Sequence, residues 1–175
     1  RVPAMMRCPG RIPAGQVSDQ LVSALDVLPT IASVTGASLP DDRKYDGYDL
    51  MPMLSGKTDK SPRREFAYYN GLTLEAIRRG PWKLHLPRKA AHRVYWAQHP
   101  KKIYLNLDHA VLNNLADDIS EKRDLTEINP EQAKDLQKMA AEIRTKLGDW
   151  NMEGTDRPAY SYPGNLNNPN WKKNR

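Results

Sequence analysis

A lone cysteine, two adjacent carboxylate pairs and four histidines are the residues of this chain whose types could do chemistry. Cys8 follows the apolar stretch Val2-Pro3-Ala4-Met5-Met6 and reads as a buried, inert thiol, because a free cysteine in apolar surroundings behaves as a small hydrophobe. As the single cysteine of the sequence it supports neither a disulfide framework nor a multi-cysteine zinc site. Asp41-Asp42 and Asp117-Asp118 mimic the paired carboxylates that hold a hard cation. Both pairs fall in turn-rich stretches, where aspartates read as solvated turn residues. His85, His92, His99 and His109 show no His-x-x-His or His-x₃-His spacing, so a zinc site has no support.

Charge narrows the partners. Lys plus Arg number 27 against 21 Asp plus Glu, a net +6, which favours nucleic acid, acidic polysaccharide or a sulfated or phosphorylated substrate. The basic residues fall as short clusters (Arg63-Arg64, Arg78-Arg79, Lys101-Lys102, Lys172-Lys173), and none is long enough to read as a nucleic-acid tail. Tyrosines and tryptophans lie between them, but no nucleic-acid fold signature accompanies the pattern. No apolar run approaches the ~18 residues that cross a bilayer.

The elements that must position these residues follow from punctuation and periodicity. Residues 2–6 read as a buried strand before the turns at Pro9-Gly10 and Pro13-Ala14-Gly15. A helix starting at Asp26 as N-cap puts Pro29 in the first turn, where its missing N–H is harmless, with Leu28, Ile31, Ala32 and Thr35 on one face and Gly36 as terminator. A short turn of helix covers Leu50 to Leu54, and Ser55 to Pro62 is a polar boundary. Beyond it the period becomes two: strands are expected over Glu65 to Asn70, Leu74 to Arg78, Trp82 to Leu86 and Val111 to Leu115. Residues 87–110 carry little pattern beyond Val94-Tyr95-Trp96 and Ile103-Tyr104-Leu105. Pro130 to Leu147 predicts a helix with Asn129 as N-cap, Gln132 closing a capping box, and a stripe of Ala133, Leu136, Met139-Ala140, Ile143 and Leu147. That stripe should pack on the sheet. Residues 151–175 are rich in Asn and poor in aliphatics, an extended tail unless Tyr160, Tyr162 and Trp171 find a neighbour.

Several of these stretches, in series, resemble the C-terminal part of the arylsulfatase family, the formylglycine-dependent sulfatases. They are Arg1-Val2-Pro3-Ala4 with Pro9 to Gly15, Ser23-Ala24-Leu25-Asp26-Val27-Leu28-Pro29-Thr30, and Asp46-Gly47-Tyr48-Asp49-Leu50 with Leu54 and Gly56. Further on they are Ala76 to Leu84 and Asn114 to Lys122. The resemblance departs at Asn113-Asn114, where Tyr-Asp is usual, at Ile119, where Pro is usual, and over residues 86–110, which look like an insertion.

The resemblance implies an α/β fold class: the end of an alkaline-phosphatase-like α/β sulfatase domain, followed by a small antiparallel four-stranded sheet packed on a helix. Residues 1–60 would close the catalytic domain, 61–150 would form the sheet-plus-helix subdomain, and 151–175 the tail. The implied activity is hydrolysis of sulfate esters by the full-length enzyme, using formylglycine and Ca²⁺ held by motifs upstream of Arg1; none of that set lies in this chain. Cys8-Pro9-Gly10-Arg11 lacks the residue that separates Cys from Pro in the modification motif. Loops of the small sheet would overhang the active-site mouth, making His85, His92, Lys83 and Arg88 the candidates to touch a sulfated small molecule or polysaccharide. Partnership with the upstream catalytic portion and a periplasmic or secreted location are implied by the same resemblance. The alternatives are a non-catalytic basic module for a sulfated polysaccharide, or a phosphatase or phosphonate hydrolase of the same superfamily.

Overall fold

The computed structural model describes residues 2–88, 106–150 and 152–156, which belong to two compact units, Arg1–Arg64 and Glu65–Arg175. In the first unit a 3₁₀ turn, Ala24–Asp26, runs into helix α1, Val27–Thr35, and a second short helix, α2, covers Met51–Leu54. The helical winding begins one turn before the expected N-cap. Ser23 takes that role, its hydroxyl accepting from Leu25 N–H while the Asp26 carboxylate accepts from Ser23 N–H at 2.8 Å. Asp26 cannot itself cap α1, because its side chain is committed backward to Ser23 and across to other partners. Gly36 ends the helix in the left-handed region at φ +73°, a conformation that favours glycine.

The expected strand over residues 2–6 does not form. Val2 and Met5 are 88% and 97% exposed, and Cys8 is half-buried rather than buried. A strand needs a neighbour for its backbone groups, and the described residues of this unit supply none. On α1, Leu28 and Ile31 are exposed, while Asp26, Thr30 and Ala32 are buried. The polar side of the helix start therefore faces inward.

The second unit holds β1 (Glu65–Asn70), β2 (Thr73–Arg79), β3 (Trp82–His85) and β4 (Val111–Asn114) in one antiparallel sheet of that order. Helix α3, Pro130–Leu147, packs on one face, and a two-stranded ribbon, β5 (Gly148–Asp149) and β6 (Met152–Glu153), follows it. Ala67, Ile77, Leu84 and Leu112 lie in register across the sheet and meet Ala133, Leu136, Met139 and Ala140. Leu74 and Ile77, three residues apart, could not share a face of a regular strand. A bulge resolves this: Tyr68 pairs with Ala76 and Tyr69 with Leu74, so Glu75 is the extra residue and Leu74 rejoins the helix face.

Two details of α3 differ from expectation. The capping box does not form, because Asn129 N–H is already donated to the Leu125 carbonyl at 2.8 Å. Leu147 is 43% exposed, since the chain turns away at Gly148 and the stripe closes with half-buried Ile143. Arg79 ties α3 to the sheet edge through Glu65, at 2.7 Å, and Asp135. The patterns around Val94 to Trp96 and Ile103 to Leu105, and the tail aromatics Tyr160, Tyr162 and Trp171, lie outside the described residues.

Leu136→Ala should destabilise the chain by ~2–5 kcal/mol, as truncations of fully buried leucines do. Leu147→Ala should stay within ~0.5 kcal/mol, as substitutions away from the core do. Urea unfolding of the two variants beside the parent chain reads both numbers, and equal costs would contradict the packing described.

Candidate functional site

Alternation along β3 puts Lys83 and His85 on the sheet face opposite α3. On that face Arg78, Lys83 and Asn113 are in register, and so are Ala76, His85 and Val111. Both basic side chains converge on Glu121 of the turn after β4. Lys83 Nζ lies 2.8 and 2.9 Å from the two carboxylate oxygens, and His85 Nε2 hydrogen-bonds to Oε2. Lys83 also sits 4.8 Å above the Tyr68 ring. The His85 hydrogen bond outweighs the effect of burial and, with Lys83, pulls the Glu121 carboxyl down to about 2. Glu121 carries φ +55°, an unusual backbone for a residue with a side chain. The turn beneath it is held by the Asp118 carboxylate, which accepts from Lys122 and Arg123 N–H, and by Asn113 Nδ2 donating to the Arg123 carbonyl at 2.7 Å.

Arg88 stands apart from this cluster. Its backbone exchanges two 2.9 Å hydrogen bonds with Leu107. Its Nη1 donates to the Glu75 and Leu86 carbonyls, and Nε, without a hydrogen-bond acceptor among the described residues, lies 4.0 Å from Glu75 Oε1. His92 lies outside the described residues, as does His99. His109 is exposed, 3.6 Å from Asp124. The structure thus brings Lys83 and His85 together and keeps Arg88 separate.

Glu121 is the member that spacing could not reveal: a Lys-x-His strand puts two bases on one face, but their acid lies 38 and 36 residues on.

The aspartate pairs do not converge. Asp42 pairs with the adjacent Arg43, Asp117 with Asn114 Nδ2, and Asp118 with backbone amides. Among the described residues no three of His, Cys, Asp and Glu are placed to hold a metal ion. Cys8 is a free, half-buried cysteine whose carbonyl accepts from Arg11 and Ile12 N–H. In the first unit an open cleft of about 310 Å³ is lined by Arg11, Asp49 and Lys57 with the hydroxyls of Ser33 and Ser55, and it holds no histidine or thiol.

The first unit is organised around a buried ion pair. Asp26 is fully buried and Arg63 nearly so; Arg63 Nε donates to Asp26 Oδ2 at 2.9 Å, Nη2 donates to Oδ1, and Nη2 also reaches the Asp46 carbonyl at 2.8 Å. Tyr48 N–H donates to Asp26 Oδ1 at 2.9 Å, and the Tyr48 ring lies 4.9 Å from the guanidinium. Burial pushes the Asp26 carboxyl upward, but Arg63 and the amides of Tyr48 and Ser23 outweigh it and hold the group below the usual carboxylate range. Thr30 Oγ1 donates to the Asp26 carbonyl at 2.6 Å and accepts from Leu50 N–H at 3.0 Å. These bonds fasten α1 to residues 46–50.

Residues 1–149 match the family described as N-sulphoglucosamine sulphohydrolase, C-terminal. Arylsulfatase G of Rattus norvegicus is 31% identical over 154 residues, covering 85% of this chain and 29% of its own length. N-acetylgalactosamine-6-sulfatase of Canis lupus familiaris is 46% identical over 86 residues, 49% of this chain and 16% of its own. A sulfatase structure from Pseudoalteromonas sp. superposes with a TM-score of 0.63 at 24% identity, covering 78% of this chain and 28% of that one, a likeness of fold. The chain spans less than a third of each.

Arg63→Met should cost ~3–5 kcal/mol, because it leaves the Asp26 carboxylate buried without its cation. A urea midpoint unchanged by this substitution would remove the pair from its central place. Acid should act on Glu121. A carboxyl lowered in the folded state contributes stability that is complete above its ordinary value and disappears as pH falls through the folded one. Stability carried by Glu121 should therefore fall between about 4.5 and about 2, a loss that Glu121→Gln abolishes in a pH series of urea midpoints.

Proposed function

Because this chain belongs to the N-sulphoglucosamine sulphohydrolase C-terminal family, we propose that it is the C-terminal part of a sulfatase, an enzyme that hydrolyses sulfate esters. On this reading residues 1–60 close the α/β catalytic domain, residues 61–150 are the small sheet-plus-helix subdomain, and residues 151–175 are an extended polar tail. The observation that carries the reading is the apolar surface of the first unit. Leu28 and Ile31 project from α1 half-exposed, and the extended residues 2–6 expose Val2 and Met5 almost completely. Large apolar side chains exposed in this number on one short unit suit a surface that another part of the protein covers. Their occupant is the upstream portion of the same protein, consistent with the share of each relative that this chain spans.

Formylglycine and Ca²⁺ would then be held upstream. A sulfated small molecule or polysaccharide is the substrate class, and export to the periplasm or the exterior is the location. No helix of the described residues is long and apolar enough to cross a membrane. Lys83, His85 and Arg88, with His92, would supply the basic side of the substrate entrance. Lys83 and His85 would act from behind, with Glu121 offsetting their charge. Arg88, whose Nε lies 4.0 Å from Glu75 Oε1, would be the group that meets an anion.

Three measurements test this. Ile31→Asp in the full-length protein should lower the soluble folded yield severalfold, while in the 175-residue chain alone it should leave the unfolding midpoint almost unchanged. The chain alone should show no turnover of an aryl sulfate; turnover by a pure preparation would refute the assignment of the catalytic set to the upstream portion. Arg88→Gln in the full-length enzyme should raise KM for a sulfated substrate with kcat retained, and an unchanged KM would remove Arg88 from the entrance.

A further inference from the structure

We infer that Glu121, clasped between Lys83 and His85, is a pH-graded latch that holds the turn of residues 115–125 against the face of the sheet opposite α3 more tightly when His85 is protonated. The geometry is specific. One carboxylate receives an ammonium on both oxygens and an imidazole nitrogen on one of them. The side chains of Lys83, His85 and Glu121 are only 13%, 23% and 27% exposed, so solvent screens the cluster less than it would an open surface pair.

Glu121 is also the strained point of its turn, at φ +55°. What holds that backbone in place is the side-chain clasp together with the Asp118 bonds to Lys122 and Arg123. With His85 neutral, one full positive charge faces Glu121. With His85 protonated, two do, and the bond from the ring nitrogen becomes charge-assisted at both ends.

The other groups around the clasp, among the described residues, have partners of their own. Arg78 and Asn113 are the cross-strand partners of Lys83, and the Arg78 Nε–H is donated to the Gly80 carbonyl. Tyr68 lies beneath Lys83. Asp118, Lys122 and Arg123 lie in the turn itself, and Asp117 is bonded to Asn114. Asp124, at the turn's far end, accepts from Leu112 and Thr126 N–H and lies near exposed His109. Among these residue types only histidine ordinarily changes charge between about pH 5 and 8, so among the described residues His85 and His109 are the two groups able to grade the turn in that range. His85 lies within the clasp; His109 sits outside it, 3.6 Å from Asp124.

Hydrogen–deuterium exchange on the full-length protein separates the two histidines. Protection factors for the amides of residues 120–123, corrected for the intrinsic pH dependence of exchange, should be at least about threefold higher at pH 5.5 than at pH 8 in the parent protein. His85→Gln keeps a hydrogen-bonding side chain without the charge and should flatten that ratio to about one, whereas His109→Gln should retain it. A flat ratio in the parent overturns the latch, as does a ratio that survives His85→Gln or vanishes in His109→Gln. Should His85→Gln fail to fold, the parent and His109→Gln ratios still decide.

Discussion

A carboxylate that leaves water must find donors for both of its oxygens, and in this chain that requirement places the loops. Asp26 draws in Ser23 N–H, Tyr48 N–H and the Arg63 guanidinium, and so joins the start of α1, residues 46–50 and the segment ending the first unit. Asp149 does the same after α3: it accepts from Leu74 and Trp150 N–H and from Arg144 Nε at 2.6 Å, so the helix end is tied to β2. Asp124 accepts from Leu112 and Thr126 N–H, and Glu121 gathers the two bases of β3. Hydrophobic residues are only 39% of the sequence, and much of the connecting chain is fixed by these polar anchors rather than by apolar burial.

Such anchors specify more than they stabilise. A buried ion pair returns in Coulomb energy roughly what it costs to dehydrate, so the net gain over a well-packed apolar pair is small or negative, while losing one partner is severe. The consequence here is selectivity of arrangement. Only one approach of residues 46–48 lets Tyr48 N–H reach Oδ1 of Asp26 while the Asp46 carbonyl accepts from Arg63. Gly47 belongs to the same constraint: a Cβ there would lie 2.0 Å from the Leu25 carbonyl oxygen, so the close approach of this segment to the helix start excludes any side chain.

The architecture of the second unit was legible from residue patterns because its signals are local. Period-two runs located the four strands, and the apolar stripe with Pro130 located α3. The bulge at Glu75 was written in the three-residue spacing of Leu74 and Ile77, but that spacing acquires meaning only once both must face α3. Long-range partners left no such trace. Arg63 lies 37 residues from Asp26 and Glu121 lies 36 from His85, and single charges at that separation look like any other solvated surface residue. The apolar run at residues 2–6 misled for a related reason: it has the composition of a strand, while strand formation depends on a neighbour that the described residues do not provide.

The family resemblance follows the anchors rather than the surface. Ser23, Asp26 and Thr30 of one matched stretch, and Gly47, Tyr48 and Leu50 of the other, are joined to each other by the hydrogen bonds and close approach that hold the first unit together. Lys83 and Glu121, from two further stretches, form the corresponding link in the second unit. The departures divide by environment. Ile119 replaces the usual proline at a half-exposed turn position, where little depends on it. Asn113 stands where tyrosine is usual and is almost fully buried, with Nδ2 given to the Arg123 carbonyl and Oδ1 lacking a partner among the described residues. The Asn113 amide in that position bonds the backbone just after Glu121. Asn113 thereby adds a backbone tether to the same turn, two residues from the Glu121 carboxylate that Lys83 and His85 hold.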